Sequence, residues 1–235
     1  MNIRTTPNPV IRWTGRRLET LNARHPWSHN HHFHPWILRS LPPRPERVLD
    51  VGCGRGDLVA ALATRAGQVD GIDPDQEMAY ATAFRFHEEP TVRVRRRTLA
   101  EHAAEQDVDG LYDAITMVAS LHHMDLPQAL ADARALLRPG GRLLVVTLTV
   151  PRSAVDQVWD VANALTNPLI GVVKHPRPVR DPGEGLLTPV KEPDFSLDDL
   201  RRIAEQVLPG ASIRRREGFR VTLRWQKPAE RAAAA

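Results

Sequence analysis

Cysteine is almost absent: Cys53 is the only one among 235 residues, so no internal disulfide can form and stability has to come from packing. That usage fits a reducing compartment and leads to the expectation of a cytoplasmic location. Long apolar runs are missing as well. The longest, Leu143 to Val150, is broken by Thr147 and Thr149 and falls far short of the roughly 20 residues a membrane-spanning helix needs. The N-terminal stretch carries Arg4, Arg12, Arg16, Arg17 and Arg24 without the apolar core and small-residue cleavage site of a secretory signal. Aromatic residues make up only 5%, and none are interleaved with basic residues as single-strand binders require. The net charge of +4 is carried mostly by arginines in short runs. Of these, Arg93, Arg95 and Arg97 share one face of an expected strand, where charge protects an exposed edge. The sequence therefore argues against nucleic acid and membrane as partners, and it assigns no oligomeric state.

What the chain does contain is alternation. After Pro42, Pro43 and Pro45, strand patterns at Arg47 to Val51, Val69 to Ile72, Val92 to Arg96, Asp113 to Val118 and Arg142 to Leu148 alternate with helical ones. The helical stretches are Asp57 to Arg65, Gln76 to Phe86, Leu99 to Glu105 and Leu126 to Leu137. Arg138 to Gly141 reads as a turn. Parallel neighbours need a crossover to reconnect, so this order predicts a doubly wound α/β fold with helices on both faces of a mostly parallel sheet. Two closing strands, Ala211 to Arg215 and Phe219 to Trp225, flank Glu217 and Gly218 and predict an antiparallel hairpin that completes seven strands.

Outside this domain, taken as 42–227, three segments read differently. Residues 1–41 are expected to form a lid with a short helix over Phe33 to Leu41, and 228–235 a disordered tail. Residues 150–195 form an insertion: helical spacing over Ala154 to Leu165, then a run punctuated by Pro168, Pro176, Pro178, Pro182, Pro189 and Pro193, the pattern of a binding loop or lid. Ser196 with Asp199 signals the cap of a helix whose apolar face is Leu197, Leu200, Ile203, Ala204 and Val207.

The densest chemistry lies where the first strand runs into Asp50-Val51-Gly52-Cys53-Gly54-Arg55-Gly56. Glycines let a backbone turn sharply and approach a ligand. A dinucleotide fingerprint, G-x-G-x-x-G, would need glycine where Asp57 stands, and a P-loop would need a lysine followed by Ser or Thr. Asp57 near a helix start also repels phosphate. A ligand without phosphates fits better. At the end of the second strand stands Asp73, followed by Pro74, where a carboxylate can accept both hydroxyls of a ribose.

With Tyr112 to Val118 leading to Leu121-His122-His123-Met124, and with the turn Leu137 to Gly141, these elements resemble the class I S-adenosylmethionine-dependent methyltransferases, above all the bacterial small-molecule group that includes the ubiquinone and menaquinone enzymes. The likeness covers residues 46–149. It implies a Rossmann-like fold, S-adenosylmethionine as cofactor and a small-molecule acceptor. It also implies a cofactor site built on the acidic loop from Asp50 through Gly52, Cys53 and Gly54. By this resemblance Gly52 and Gly54 lie beneath the methionine part, Asp73 with Pro74 holds the ribose, and Met78 packs on the adenine. Thr98, where the family often has Asp, borders the adenine edge with Leu99, and Val118 lies near the sulfonium. His122 and His123 are candidate general bases, and equally they can shape the turn ahead of the helix cap Asp125.

The cluster His29-Asn30-His31-His32-Phe33-His34 invites a metal reading, but no Cys or carboxylate pair completes a tetrahedral set, so none is assigned. In the lid reading His29, Asn30, Phe33 and His34 meet the acceptor or the donor carboxylate. Trp27, Trp36 and Trp159 are candidates for the wall of an apolar acceptor pocket. Two alternatives remain open at this point: a nucleic-acid methyltransferase, and a protein that binds the cofactor without catalysis.

Overall fold

The computed structural model describes residues 28–105, 112–174 and 193–229. Its centre is a seven-stranded sheet in the order β3-β2-β1-β4-β5-β7-β6. The strands are β1 (Arg47–Val51), β2 (Gln68–Asp73), β3 (Val92–Arg96), β4 (Tyr112–Val118), β5 (Leu137–Thr147), β6 (Ser212–Arg216) and β7 (Arg220–Gln226). β1 to β5 run parallel, and β7 lies antiparallel between β5 and β6. The doubly wound, mostly parallel reading with its C-terminal hairpin is what the structure has. Arg93 and Arg95 lie on β3, an edge strand, as their spacing suggested, but Arg97 lies past its end, where its N–H donates to Asp73 O and its side chain pairs with Glu105.

Helices cover both faces. On one face α1 (His29–His32), α2 (His34–Ser40), α3 (Asp57–Ala63) and α4 (Gln76–Arg85) precede or connect the first strands, and Ile37, Val59 and Leu62 pack there against Val48, Ala114 and Val146. The opposite face carries α5 (Leu99–Ala103), α6 (Leu126–Leu136) and α8 (Leu197–Val207), with Leu130, Leu136 and Leu200 buried against Leu49, Ile115 and Trp225. The central strands read as continuous apolar runs because both of their faces are covered. Thr98 with Glu101 and Ser196 with Asp199 form reciprocal capping boxes that start α5 and α8. Among the described residues, no helix is long and apolar enough to cross a membrane.

Four of the differences from expectation are larger than a shift at an element's end or change how a segment is read. The helix expected over Phe33 to Leu41 is two: α1, capped by the Ser28 side chain on His31 N, and α2, with Pro35 in its first turn. The turn expected at Arg138 to Gly141 is strand, because Gly140 N donates to Lys227 O (2.9 Å) and Lys227 N to Gly141 O (2.8 Å). That pairing comes from the far end of the chain. The helix over Ala154 continues as α7 to Lys174, through Pro168, instead of stopping near Leu165. Phe219 lies in the hairpin turn with φ 59°, so β7 begins one residue later, at Arg220. The expectations for residues 1–27, for Pro176 to Pro189 and for most of the tail lie outside the described residues.

Candidate functional site

The carboxyl ends of β1, β2 and β4 meet at the glycine loop, where open α/β sheets hold their ligands. Gly52, Gly54 and Gly56 all have positive φ (74°, 51° and 79°), so the loop needs the freedom only glycine has. At Gly52 a Cβ would stand 2.5 Å from Ser120 Cβ, so the end of β4 presses directly on the loop, whereas a Cβ at Gly54 would meet nothing within 4 Å. Ser120, which belongs to no sequence motif, donates from its hydroxyl to Val51 O at 2.7 Å and so locks the end of β4 to β1. Thr82 of α4 anchors the loop from the other side, donating to Gly54 O at 2.6 Å. Neither contact has a local pattern, since each partner is remote in sequence.

Asp73 is buried, with 8% of its surface exposed. Its Oδ2 accepts from Gly54 N and its Oδ1 from Asp75 N, both at 2.9 Å, and it has no ion-pair partner among the described residues. A carboxylate offers about four acceptor positions, so two remain for a ligand. Asp50 lies deeper. Thr116 donates to its Oδ1 at 2.8 Å, and burial, with a smaller contribution from Asp73, pushes its pKa up to about 7. Cys53 is buried beside Gly71, and burial pushes its thiol pKa above the ordinary value, which removes it as a nucleophile.

A cavity of about 290 Å³ opens against the loop, lined by Gly52, Ile72, Pro74, Thr98, Leu99 and His123 among others. Thr98 spends its polar groups on the cap of α5: its hydroxyl accepts from Glu101 N at 3.1 Å and its N–H donates to Glu101 Oε2 at 2.8 Å. Leu99 and Ala100, also lining the cavity, lie in the first turn of that helix, whose N–H groups have no acceptor inside it. Met78 stands in the first turn of α4, half-buried and outside this lining. Val118 ends β4, next to Ala119, whose φ of 56° turns the chain toward Ser120. His122 is buried and His123 exposed, their rings 4.1 Å apart, and Asp125 caps α6 by accepting from Gln128 N at 3.0 Å.

The histidine-rich segment lies over this edge. His31 Nε2 pairs with Asp57 at 2.8 Å, His32 Nε2 with Glu217 at 2.7 Å, and Asn30 Oδ1 accepts from Arg220 Nη2 at 3.2 Å. α1 thus spans from the start of α3 to the β6–β7 turn. Phe33 is 3% exposed and belongs to the core under α2, while His34, half-buried, has its pKa lowered first by burial and then by His31. His29 is half-buried at the start of α1. Among the described residues no three His, Cys, Asp or Glu come together to hold a metal ion. Of the tryptophans, Trp36 packs against the core, Trp159 lines a second cavity at the β5–β7 end, and Trp27 lies outside the described residues.

A doubly wound sheet with an acidic glycine loop after β1 and a carboxylate ending β2 is the arrangement in which open α/β sheets hold nucleotide-type ligands at their carboxyl edge. A family model described as a methyltransferase domain matches residues 49–143. An uncharacterized methyltransferase of Mycobacterium bovis is 33% identical over 208 residues, which are 86% of this chain and 98% of that protein. A ubiquinone biosynthesis O-methyltransferase of Xanthomonas axonopodis pv. citri is 39% identical over 115 residues, 48% of this chain and 47% of the relative. Among solved structures, the 1,6-didemethyltoxoflavin-N1-methyltransferase of Burkholderia thailandensis, with its substrate and S-adenosylhomocysteine bound, aligns over 95% of this chain and 92% of its own at TM-score 0.55 and 18% identity. The chain belongs to the methyltransferase family.

Proposed function

We propose that this methyltransferase uses S-adenosylmethionine and transfers its methyl group to a small-molecule acceptor. The observation that carries the reading is Asp73. It is a buried carboxylate at the sheet's carboxyl edge, bonded to two backbone N–H groups and paired with no cation among the described residues. A ribose diol would satisfy it. The open space at Gly54 and the cavity at Pro74, Thr98 and Leu99 suit a nucleoside. The bound substrate and S-adenosylhomocysteine of the Burkholderia relative support the same choice of ligand.

When bound, the cofactor supplies a sulfonium methyl with a good leaving group. What the chain adds is position. Gly52 and Gly54 with Ser120 shape the floor, Asp73 and Pro74 hold the sugar, and the orphan N–H groups at the start of α5 meet the adenine edge. Asp50 and Cys53 lie beneath as buried support. Holding two reactants in line and excluding water is worth several kcal/mol, roughly 7–11 at best. α1 covers the edge and contributes to that exclusion. His123, the one of the two histidines that lines the cavity, borders the nucleoside there, and neither histidine is assigned a proton-transfer role.

A thermal-shift screen with S-adenosylhomocysteine, NAD, FAD and ATP tests the cofactor. At one hundred times Kd a ligand adds about 2.7 kcal/mol. For a chain of this size that is a rise in Tm of roughly 5–10 °C. A response to NAD alone overturns the reading. Tritiated methyl from the donor is expected in small-molecule extracts, and label in RNA or DNA instead contradicts the acceptor class.

A further inference from the structure

A second cavity, of about 270 Å³, lies at the carboxyl end of β5 where the hairpin turns, with Leu148, Val150, Trp159 and Phe219 on its walls and Arg215 and Arg220 among its polar groups. The two arginines differ. Arg215 is neutralised by Asp156, which also accepts from Ser153 N at 2.9 Å and Arg152 N at 3.2 Å. Arg220 has no carboxylate within ion-pair reach among the described residues. Among the described residues it donates only to neutral oxygens, Gly218 O and Asn30 Oδ1, both at 3.2 Å. Its Nε is buried without an acceptor, which leaves three of its five N–H donors unspent. Asp160, the other carboxylate in the cavity, does not reach it, and burial followed by Asp156 holds that group above the usual carboxylate range.

A desolvated guanidinium without a counter-charge is costly, so its surroundings ask for an anion. Burial alone pushes Arg220 down to about 10. The hairpin turn that presents it puts Phe219 in the left-handed region at φ 59°, a conformation costly for a bulky residue and concentrated at functional sites. Planar, forked donors match carboxylates. We propose that this cavity is the acceptor subsite and that Arg220, steadied by Asn30, binds a carboxylate on an acceptor whose apolar body packs on Trp159 and Phe219. The proposal rests on the methyltransferase reading above and narrows its acceptor to an organic acid. The volume, near the lower end of the roughly 300–1,000 Å³ of small-ligand pockets, matches a body of about one ring.

The test titrates the purified full chain, with and without saturating S-adenosylhomocysteine, with benzoate, phenylacetate and salicylate, each beside its primary amide, and with phenyl phosphate. At least one carboxylate is expected to bind while its amide does not, and Arg220→Gln is expected to lose that affinity tenfold or more, with Arg220→Lys retaining part of it. S-adenosylhomocysteine affinity should agree within about twofold between the wild type and Arg220→Gln. Amides binding as well as acids, phenyl phosphate preferred over every acid, no acid binding in either arm, or an unaffected Arg220→Gln would each overturn the proposal. The ligand-free melt separates function from structure. Removing an uncompensated buried charge should raise Tm by about 2 °C or more, whereas a fall marks Arg220 as structural. If S-adenosylhomocysteine itself does not bind, the cofactor reading fails, and the acid titrations without it still decide the role of Arg220.

Discussion

Asp70 and Asp73 stand on the same strand, β2, and meet opposite surroundings. Near the amino end, Asp70 accepts from Arg47 Nε at 2.7 Å and from the Tyr112 hydroxyl at 2.9 Å, and His102 Nε2 lies 2.9 Å from the same hydroxyl. Burial, reinforced by Asp70, raises the Tyr112 pKa, so its hydroxyl remains a donor. Close by, Asp113 accepts from Glu46 N at 2.7 Å, Arg47 N at 2.9 Å and Arg138 Nη1 at 3.2 Å. Charges at that end are answered by charges. At the carboxyl end, among the described residues, Asp73 has only backbone donors and Arg220 only neutral acceptors. The amino end is closed by its own side chains, while at the carboxyl end Asp73 and Arg220 keep polar capacity for the ligands proposed above.

The sharpest way to break this comparison is Asp70→Ala. Removing one partner of a buried, hydrogen-bonded pair costs about 3–5 kcal/mol. Arg47 keeps 22% of its side-chain surface exposed, which favours the lower figure. A fall in Tm of roughly 6–12 °C is expected in thermal melts. A loss under about 1 kcal/mol would mean that the amino end is not the stabilising one.

Gly52→Ala comes next. A left-handed φ costs a non-glycine residue about 1–2 kcal/mol, and the new methyl meets Ser120 Cβ at 2.5 Å, so β4 and the loop have to separate. The expected outcome is a moderate loss of stability, about 2 kcal/mol by urea denaturation, together with loss of S-adenosylhomocysteine binding. Unchanged binding would detach the loop from the cofactor.

A third test concerns pH. Asp50 has a folded pKa near 7, above its unfolded value near 3.8, so the native state holds the extra proton between those limits. Its contribution is therefore fully present below the lower value and is lost as pH rises toward 7. Asp50→Asn, which keeps an acceptor for Thr116, should flatten this part of the stability curve and leave the variant at least as stable as wild type at pH 8. A stability loss for Asp50→Asn at pH 8 would contradict the assignment.

Much of the carboxyl edge was legible before any coordinates, because its parts are local. The run from Asp50 to Gly56 is one strand and one turn, Asp73 ends the next strand, and Ser196 with Asp199 spells a cap within four residues. The doubly wound order followed from periodicity alone, and the arginines of β3 marked an edge. What escaped depends on distant neighbours. Ser120 matters because β4 lies beside β1, a pairing no single segment encodes. Arg220 falls inside an expected hairpin strand, and nothing local shows that the turn at Phe219 and a helix 190 residues earlier bury it. Arg138 to Gly141 carries turn chemistry and yet is strand because Lys227 pairs with it. The histidine cluster was conspicuous, but its contacts with Asp57 and Glu217 could only be seen once the chain was folded.

The division between the two ends is tested most directly by calorimetric titration of S-adenosylhomocysteine into Asp73→Asn and Asp70→Asn, each with its own melting curve. Asp73→Asn is expected to bind at least tenfold more weakly, a difference of about 1.4 kcal/mol, and, because its amide nitrogen faces a backbone N–H that the carboxylate accepts, to melt below wild type by less than Asp70→Asn does. Asp70→Asn should melt well below wild type and, kept below its transition, bind with wild-type affinity. An Asp73→Asn protein that binds the nucleoside as tightly as wild type would contradict the account at its centre.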